Sequence, residues 1–310
     1  MEPAYIKAYK ENIVHERIEK ALSILTCCTL CPRTCRVNRF AGELGVCRTG
    51  RQAMVSSYAP HFGEEYPLVG RGGSGTIFFT HCNLLCVFCQ NYDISHLGEG
   101  YEISSEGLAA IMIRLQAQGV HNINFVTPSH VVAQILEALP LAIKAGLHVP
   151  LVYNSSGYDS VETLGLFDGI VDIYMPDLKF ADSEVARRYC NAPDYPERVQ
   201  SAIKEMHRQV GDLTINNQGI AERGVLVRHL VMPEGEAGTY ELMKFLAGEV
   251  SKNTYVNIMN QYRPCGGAAQ FSELTRALTP AEYQQALNEA QAAGITRLDQ
   301  RRHRRLLLWK

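Results

Sequence analysis

The sequence predicts an α/β fold, a partial (β/α)6 barrel of parallel strands and helices behind a cysteine-rich N-terminal extension. Three observations lead there. From residue 76 onward, short apolar strands alternate with amphipathic helical stretches, the pattern of a parallel sheet covered by helices. Six such β/α units fit in the chain, two short of a closed eight-fold barrel. Ahead of and within the first unit, eight of the ten cysteines crowd between Cys27 and Cys89.

Composition sets the bounds. The chain has 310 residues, 46% hydrophobic and 20% charged, ordinary values for a globular protein. Its length suits one large domain or two small ones, read here as an extension over 1–70 and a barrel over 71–310. A formal net charge of −2 argues against a nucleic-acid partner. No apolar run reaches membrane-spanning length. The charged stretch Met1–Lys20 lacks the apolar core of a signal peptide, so a cytoplasmic location is expected. In that compartment cysteines are metal ligands more often than disulfides.

In chain order, Ile6, Tyr9, Ile13, Ile18, Ala21 and Leu22 recur at helical spacing and predict one helix over 5–25. Next comes Cys28-x2-Cys31-x3-Cys35-x11-Cys47, with Gly42 and Gly45 able to turn the chain back. Four such cysteines fit either a closed zinc site or a four-cysteine iron–sulfur cluster. Residues 56–75 show no helical period and read as a linker, in which His61, Glu64 and Glu65 stand either near the cluster mouth or, the reading preferred here, as solvated loop residues. Strands are expected at 76–80, 123–126, 149–153, 169–175, 225–231 and 255–259. Helices are expected at 105–118, 129–145, 160–167, 195–210 and 239–250. A last helix opens on Thr279 as N-cap, Pro280 at its first position and Glu282 closing a capping box, and stops at Gly294. The basic run Arg301–Arg305 and the apolar end after it read as a solvated tail with a short packed end.

The densest chemistry lies at Cys82-x3-Cys86-x2-Cys89, directly after the first strand. A tight loop of three thiolates suits an iron–sulfur cluster. In a four-iron cubane, three protein ligands leave one iron open to a small molecule. A structural zinc site, normally closed by four ligands, would be one short. In parallel barrels ligands meet the C-terminal ends of strands, so each strand is read at its exit. The second exits at Thr127-Pro128-Ser129, the third at Asn154-Ser155-Ser156. At the fourth exit, Asp177 and Lys179 lie two apart and share a face. On the fifth strand, alternation sends Arg228 and His229 to opposite faces, and Arg228 is assigned to the interior. Asn260 and Gln261 follow the sixth. Cys190 is unassigned, and Cys265 sits in a glycine-bearing loop able to act as a lid.

The triple-cysteine spacing, with Phe88 just before the last cysteine, resembles the signature of radical S-adenosylmethionine (SAM) enzymes. Cys28-x2-Cys31-Pro32-Arg33 upstream and Asp177-Leu178-Lys179 downstream are similar to the branch related to pyruvate formate-lyase-activating enzymes, and the likeness covers most of the chain. It implies a TIM-like partial barrel of the radical SAM type. It also implies a [4Fe–4S] cluster on Cys82, Cys86 and Cys89 that cleaves SAM reductively to methionine and a 5′-deoxyadenosyl radical, which abstracts hydrogen. Asp177 and Lys179 match the family's Asp-x-Lys motif. Arg228 is expected at the SAM carboxylate, Asn154 and Ser156 at the ribose, and Thr127 at the amino group, although Thr127-Pro128-Ser129 stands where activating enzymes carry Gly-Gly-Glu.

The activity implied is an oxidoreductase that takes hydrogen from a glycine of a partner enzyme, with a flavodoxin or ferredoxin as reductant. Two alternatives stand beside it. One is radical modification of a small molecule or another peptide using a second [4Fe–4S] cluster or zinc at Cys28, Cys31, Cys35 and Cys47. The other is a non-catalytic iron–sulfur electron-transfer or binding protein.

Overall fold

The structure is a computed structural model that describes residues 1–299. The chain opens with two helices, α1 (Ala4–Lys10) and α2 (Ile13–Ile24), where the sequence predicted one. Asn12 breaks the run by adopting φ 65°, a left-handed conformation that Asn tolerates better than most residues. There follow β1 (Ala53–His61), α3 (Tyr66–Val69), β2 (Ser74–Phe79), α4 (Tyr92–Ser95), β3 (Tyr101–Ile103), α5 (Ser105–Ala117), β4 (Ile123–Val126) and α6 (Val132–Lys144). The second half runs β5 (Leu151–Ser155), α7 (Val161–Leu164), β6 (Ile173–Pro176), α8 (Ser183–Cys190), α9 (Tyr195–Val210), β7 (Thr214–Ile215), β8 (Ala221–Leu230), α10 (Thr239–Phe245), β9 (Tyr255–Met259) and α11 (Pro280–Ala292).

Parallel ladders join β2, β4, β5, β6, β8 and β9, the six strands read from the sequence. The fold is therefore α/β, a partial TIM-like barrel with a cysteine-rich N-terminal region. β1 extends the sheet by pairing antiparallel with β2, and β3 pairs with β1. Both β1 and α3 correct the linker expected at 56–75. β1 carries Ser56 and Pro60 at half-buried positions and Ser57 at an exposed one, so it lacks the apolar alternation that reveals a strand. The strand expected from 169 begins at Ile173, because Gly169 makes a left-handed turn first. The helix expected at 160–167 is one α-turn capped by Ser160, followed by a 3-10 turn. α11 has the predicted capping box on Thr279 and Glu282. The basic run at 301–305 lies outside the described residues. Among those described, no helix is long and apolar enough to cross a membrane.

Strand alternation divides the apolar residues between two cores. Ile77, Phe79, Ile123, Phe125, Tyr153, Tyr174, Val227 and Ile258 face outward into the main core with the helices. Val152, Ile173, Met175 and Leu226 form a second cluster inside the barrel, joined by Leu68 of α3. α3 thus plugs the lumen with a leucine, and burying such a side chain stabilises by roughly 1.5–3 kcal/mol. Asn122 holds the plug by donating Nδ2 to Leu68 O at 2.9 Å, while Ser74 Oγ donates to Asn122 Oδ1 at 2.6 Å. α1 docks where the strands begin. Ala4 N donates to Asp172 Oδ1 at 2.8 Å, and Tyr5 Oη donates to Val149 O at 2.9 Å.

Candidate active site

The loop after β2 presents Cys82, Cys86 and Cys89. Backbone contacts set its path, with His81 N donating to Ile94 O and Val87 N to Tyr189 O, both at 2.9 Å. Phe88 anchors it. Its buried ring meets Phe180, Tyr189 and Tyr262 near edge-on at centroid distances of 6.0, 6.2 and 6.0 Å, a geometry aromatic rings favour. The loop around Cys265 lies alongside, where Gly267 N donates to Val87 O at 2.6 Å.

Donors are aimed at the sulfurs. Leu84 N points at Cys82 Sγ at 3.3 Å, and Ser95 Oγ at Cys89 Sγ at 3.2 Å. The Cys190 thiol donates to Cys86 Sγ at 3.4 Å. Burial pushes the Cys82 thiol up to about 12, with Cys86 adding to the effect. The Cys190 contact, then burial, raise Cys86 as well. Such thiols release their protons only when a cation takes their place, which is how metal ligation works. The three residues therefore fit a cluster. Among the described residues, no three His, Cys, Asp or Glu side chains are arranged to hold a single metal ion.

From this loop a line of charge runs into the barrel. Lys179 lies within electrostatic reach of Cys86 and donates Nζ to Asp177 Oδ2 at 2.6 Å. Arg228 donates Nε to Asp177 Oδ1 and Nη2 to Asn154 Oδ1, both at 2.7 Å. Burial opposes ionisation of all three charged groups, but mutual attraction prevails. Asp177 is held below the usual carboxylate range by Arg228 and Lys179, and both cations are raised by Asp177. Register explains the meeting, since Arg228 bridges to Asp177 across the β6–β8 ladder. His229 points the other way, with its ring nitrogens against Leu178 O and Thr239 Oγ1.

Two further expected residues flank this line without joining it. Thr127 sits at φ 61° and donates its N to Asn154 O at 2.9 Å. That backbone is strained for a β-branched residue. Ser156 Oγ accepts from Tyr158 N at 3.4 Å. Tyr195 Oη stands 3.0 Å from both Ser156 O and Asp177 O, tying the β5 and β6 exits together. Gly157 completes that join at φ 77°, where a Cβ would lie 2.3 Å from Asp177 O.

The lumen holds more than the sequence disclosed. Glu64 and Glu65, read as solvated, are drawn inside because the β1–β2 connection dives beneath the barrel to seat α3. Glu65 is 2% exposed and accepts from Asn257 Nδ2 at 2.9 Å. Burial raises its carboxyl despite the opposing pull of Arg228. Burial also works against Glu64 ionising, but the bond from His61 and the charge of Arg228 outweigh it and lower its pKa.

The N-terminal cysteines adjoin the first loop. Cys28, Cys31 and Cys47 are buried, and burial pushes Cys31 up to about 12 with Cys47 and Cys28 near it. Cys35 is half-buried, its Sγ accepting from Val46 N at 3.4 Å. Arg33, between Cys31 and Cys35, donates to Asn83 O at 2.9 Å, Leu84 O at 3.2 Å and Cys190 O at 2.8 Å, and lies over the Tyr158 ring. Arg39 donates to His130 O at 2.7 Å and points Nη2 at Cys47 Sγ at 3.5 Å. No periodicity marks either arginine, and only their places beside cysteines in the chain hint at them.

A family model described as the Radical SAM superfamily matches residues 76–246, more than half of the chain. An uncharacterized protein of Methanocaldococcus jannaschii is 33% identical over 295 residues, covering 92% of this chain and 80% of that protein. Two solved structures resemble the chain more distantly. One is a radical SAM methyltransferase from Sphaerobacter thermophilus, with TM-score 0.49, 16% identity, and coverage of 71% of this chain and 64% of that one. The other is native anSMEcpe with bound AdoMet, with TM-score 0.47, 12% identity, and coverage of 69% and 57%. The match thus spans less than two thirds of either solved chain.

Proposed function

The chain belongs to the radical SAM superfamily, and on that premise we propose that it cleaves SAM at a cluster on Cys82, Cys86 and Cys89 and takes hydrogen from a glycine of a partner enzyme. The family implies a [4Fe–4S] cluster and SAM. Together these supply, when bound, one-electron cleavage to methionine and a 5′-deoxyadenosyl radical.

The observation that carries the proposal is the convergence of Lys179, Asp177, Arg228 and Asn154 from three strand ends beside the three thiols. Lys179 offsets the negative charge of bound thiolates. Asp177 fixes Lys179 and Arg228 together. The Nε–Nη2 edge of Arg228 serves Asp177 and Asn154, and its remaining N–H donors on Nη1 and Nη2 are left to meet the SAM carboxylate. The Phe88 cage keeps water from the loop. The Asp177-Leu178-Lys179 motif favours the glycine target.

A second metal centre, a [4Fe–4S] cluster rather than a single zinc ion, at Cys28, Cys31, Cys35 and Cys47 forms part of this proposal. Arg39 supports it. The residue is 2% exposed, and among the described residues it makes no ion pair with a carboxylate. A buried cation needs a buried anion, and a metal-bound thiolate at Cys47 is one. A flavodoxin or ferredoxin is the reductant proposed.

Anaerobic reconstitution tests the reading. The reduced cluster should change its electron paramagnetic resonance spectrum when SAM is added, since SAM occupies the open iron. A spectrum indifferent to SAM would overturn it. Co-incubation with a partner enzyme should then yield a glycyl radical signal, and hydrogen loss from a small molecule instead would favour the alternative target.

A further inference from the structure

A donor is aimed at each cysteine of the Cys82 loop. Two are local, since Leu84 N serves Cys82 from two residues along the chain and Ser95 Oγ serves Cys89 from six. The donor to Cys86 comes from 104 residues away and is the Cys190 thiol, at 3.4 Å. Cys190 is 3% exposed and ends α8. Asn191 turns the chain there at φ 47°, its N donating to Arg187 O at 2.9 Å. The segment is tied to the loop at two points. Val87 N donates to Tyr189 O at 2.9 Å, and Arg33 Nη2 to Cys190 O at 2.8 Å. Arg33, from the N-terminal cysteine segment, thus holds the Cys190 backbone while its thiol faces a cluster ligand.

We propose that Cys190 is a positioning residue that tunes the cluster through Cys86, donating its S–H to that ligand and raising the potential at which the cluster accepts an electron. Iron takes the place of the Cys86 proton, so the ligated sulfur only accepts, and the hydrogen shared by the pair belongs to Cys190. The added electron makes the cluster and its thiolates more negative. A donor aimed at a thiolate therefore stabilises the reduced form more than the oxidised one. Hydrogen bonds to ligating sulfurs are among the levers that set such potentials. A thiol is a weak donor, but this one is buried, where a hydrogen bond is stronger than in water. The inference rests on the radical SAM reading and deepens it, since reductive cleavage of SAM waits on cluster reduction. No bond forms or breaks in this step, and one electron passes from the reductant to the cluster.

The test is a redox titration of cluster-loaded protein with titanium(III) citrate, followed by electron paramagnetic resonance on the signal that SAM, added afterwards, alters. Cys190→Ala should lower the potential, so that the ratio of reduced to oxidised cluster at a fixed poise falls about three-fold, about 28 mV for one electron. Cys190→Ser, whose hydroxyl keeps a donor, should recover at least about half of that shift. Should Cys190→Ala hold no cluster, Cys190→Val, which fills the volume without a donor, carries the same comparison. A merely structural role would lower the melting midpoint and leave the potential in place. An unchanged potential in the donor-free variant, or an equal fall in Cys190→Ser, would overturn the inference. So would a cluster that survives Cys86→Ala and is lost when Cys190→Ala is added, which would make Cys190 a substitute ligand. A wild-type spectrum indifferent to SAM would overturn the radical SAM reading and this inference with it, whereas a SAM-responsive spectrum with an unshifted potential overturns the inference alone.

Discussion

Arg228 Nε meets Asp177 Oδ1 at 2.7 Å across the β6–β8 ladder, while Lys179 Nζ takes Asp177 Oδ2 at 2.6 Å. One carboxylate therefore holds two largely buried cations in place beside the cysteine loop.

Asp177→Asn should destabilise strongly, because both cations lose their counter-charge. Breaking a buried pair costs about 3–5 kcal/mol, and chemical denaturation measures it. The pH window follows from the shifts. Asp177 is lowered, so its stabilisation is present above the unfolded value of about 4 and is lost as pH falls through the folded one. Lys179 is raised, so its share is present below about 10.4 and is lost as pH rises through its folded value. Variant and wild type should differ most between those limits. A difference under about 1 kcal/mol at pH 7 would contradict the arrangement.

His229 supplies a second pH test. Burial is the largest cause lowering it to about 4. Between about 6.5 and 4 the unfolded chain binds a proton that the folded chain refuses, so stability drops by about 1.4 kcal/mol for each unit by which pH is lowered there, from this residue. Asp172, raised to about 6 chiefly by burial, acts in the opposite direction in the same window. The measurement is therefore the difference between wild type and His229→Asn. The slope should be shallower in the variant, and identical slopes would contradict a neutral, buried His229.

Arg33 joins the two cysteine segments through bonds to Asn83, Leu84 and Cys190 carbonyls. Arg33→Ala should cost about 2–4 kcal/mol, since several acceptors are left unpaired. It should also speed iron loss from the Cys82 loop under a chelator. Unchanged iron retention would show that the N-terminal segment does not brace that loop.

How much of this was legible in the sequence follows from range. The six parallel strands are β-branched or aromatic runs fixed by local pattern, and all six appear. The Asp177–Lys179 pair was legible because two residues on one extended segment share a face. β1 was hidden by its serines and proline, and the break at Asn12 by an otherwise unbroken helical period. The burial of Glu65 inside the barrel could not be read, and Arg39 was hinted at only by its place near cysteines in the chain. Their roles depend on partners in distant parts of the chain, such as Asn257 for Glu65 and His130 for Arg39, and no spacing encodes such a meeting.

The most direct test of the central claim is formation of 5′-deoxyadenosine from SAM by reconstituted protein under a strong reductant, without oxygen. Wild type should form it, and a Cys82→Ala, Cys86→Ala, Cys89→Ala variant should fall to background. Equal product from both, or none from fully cluster-loaded wild type with a peptide substrate present, would contradict the account.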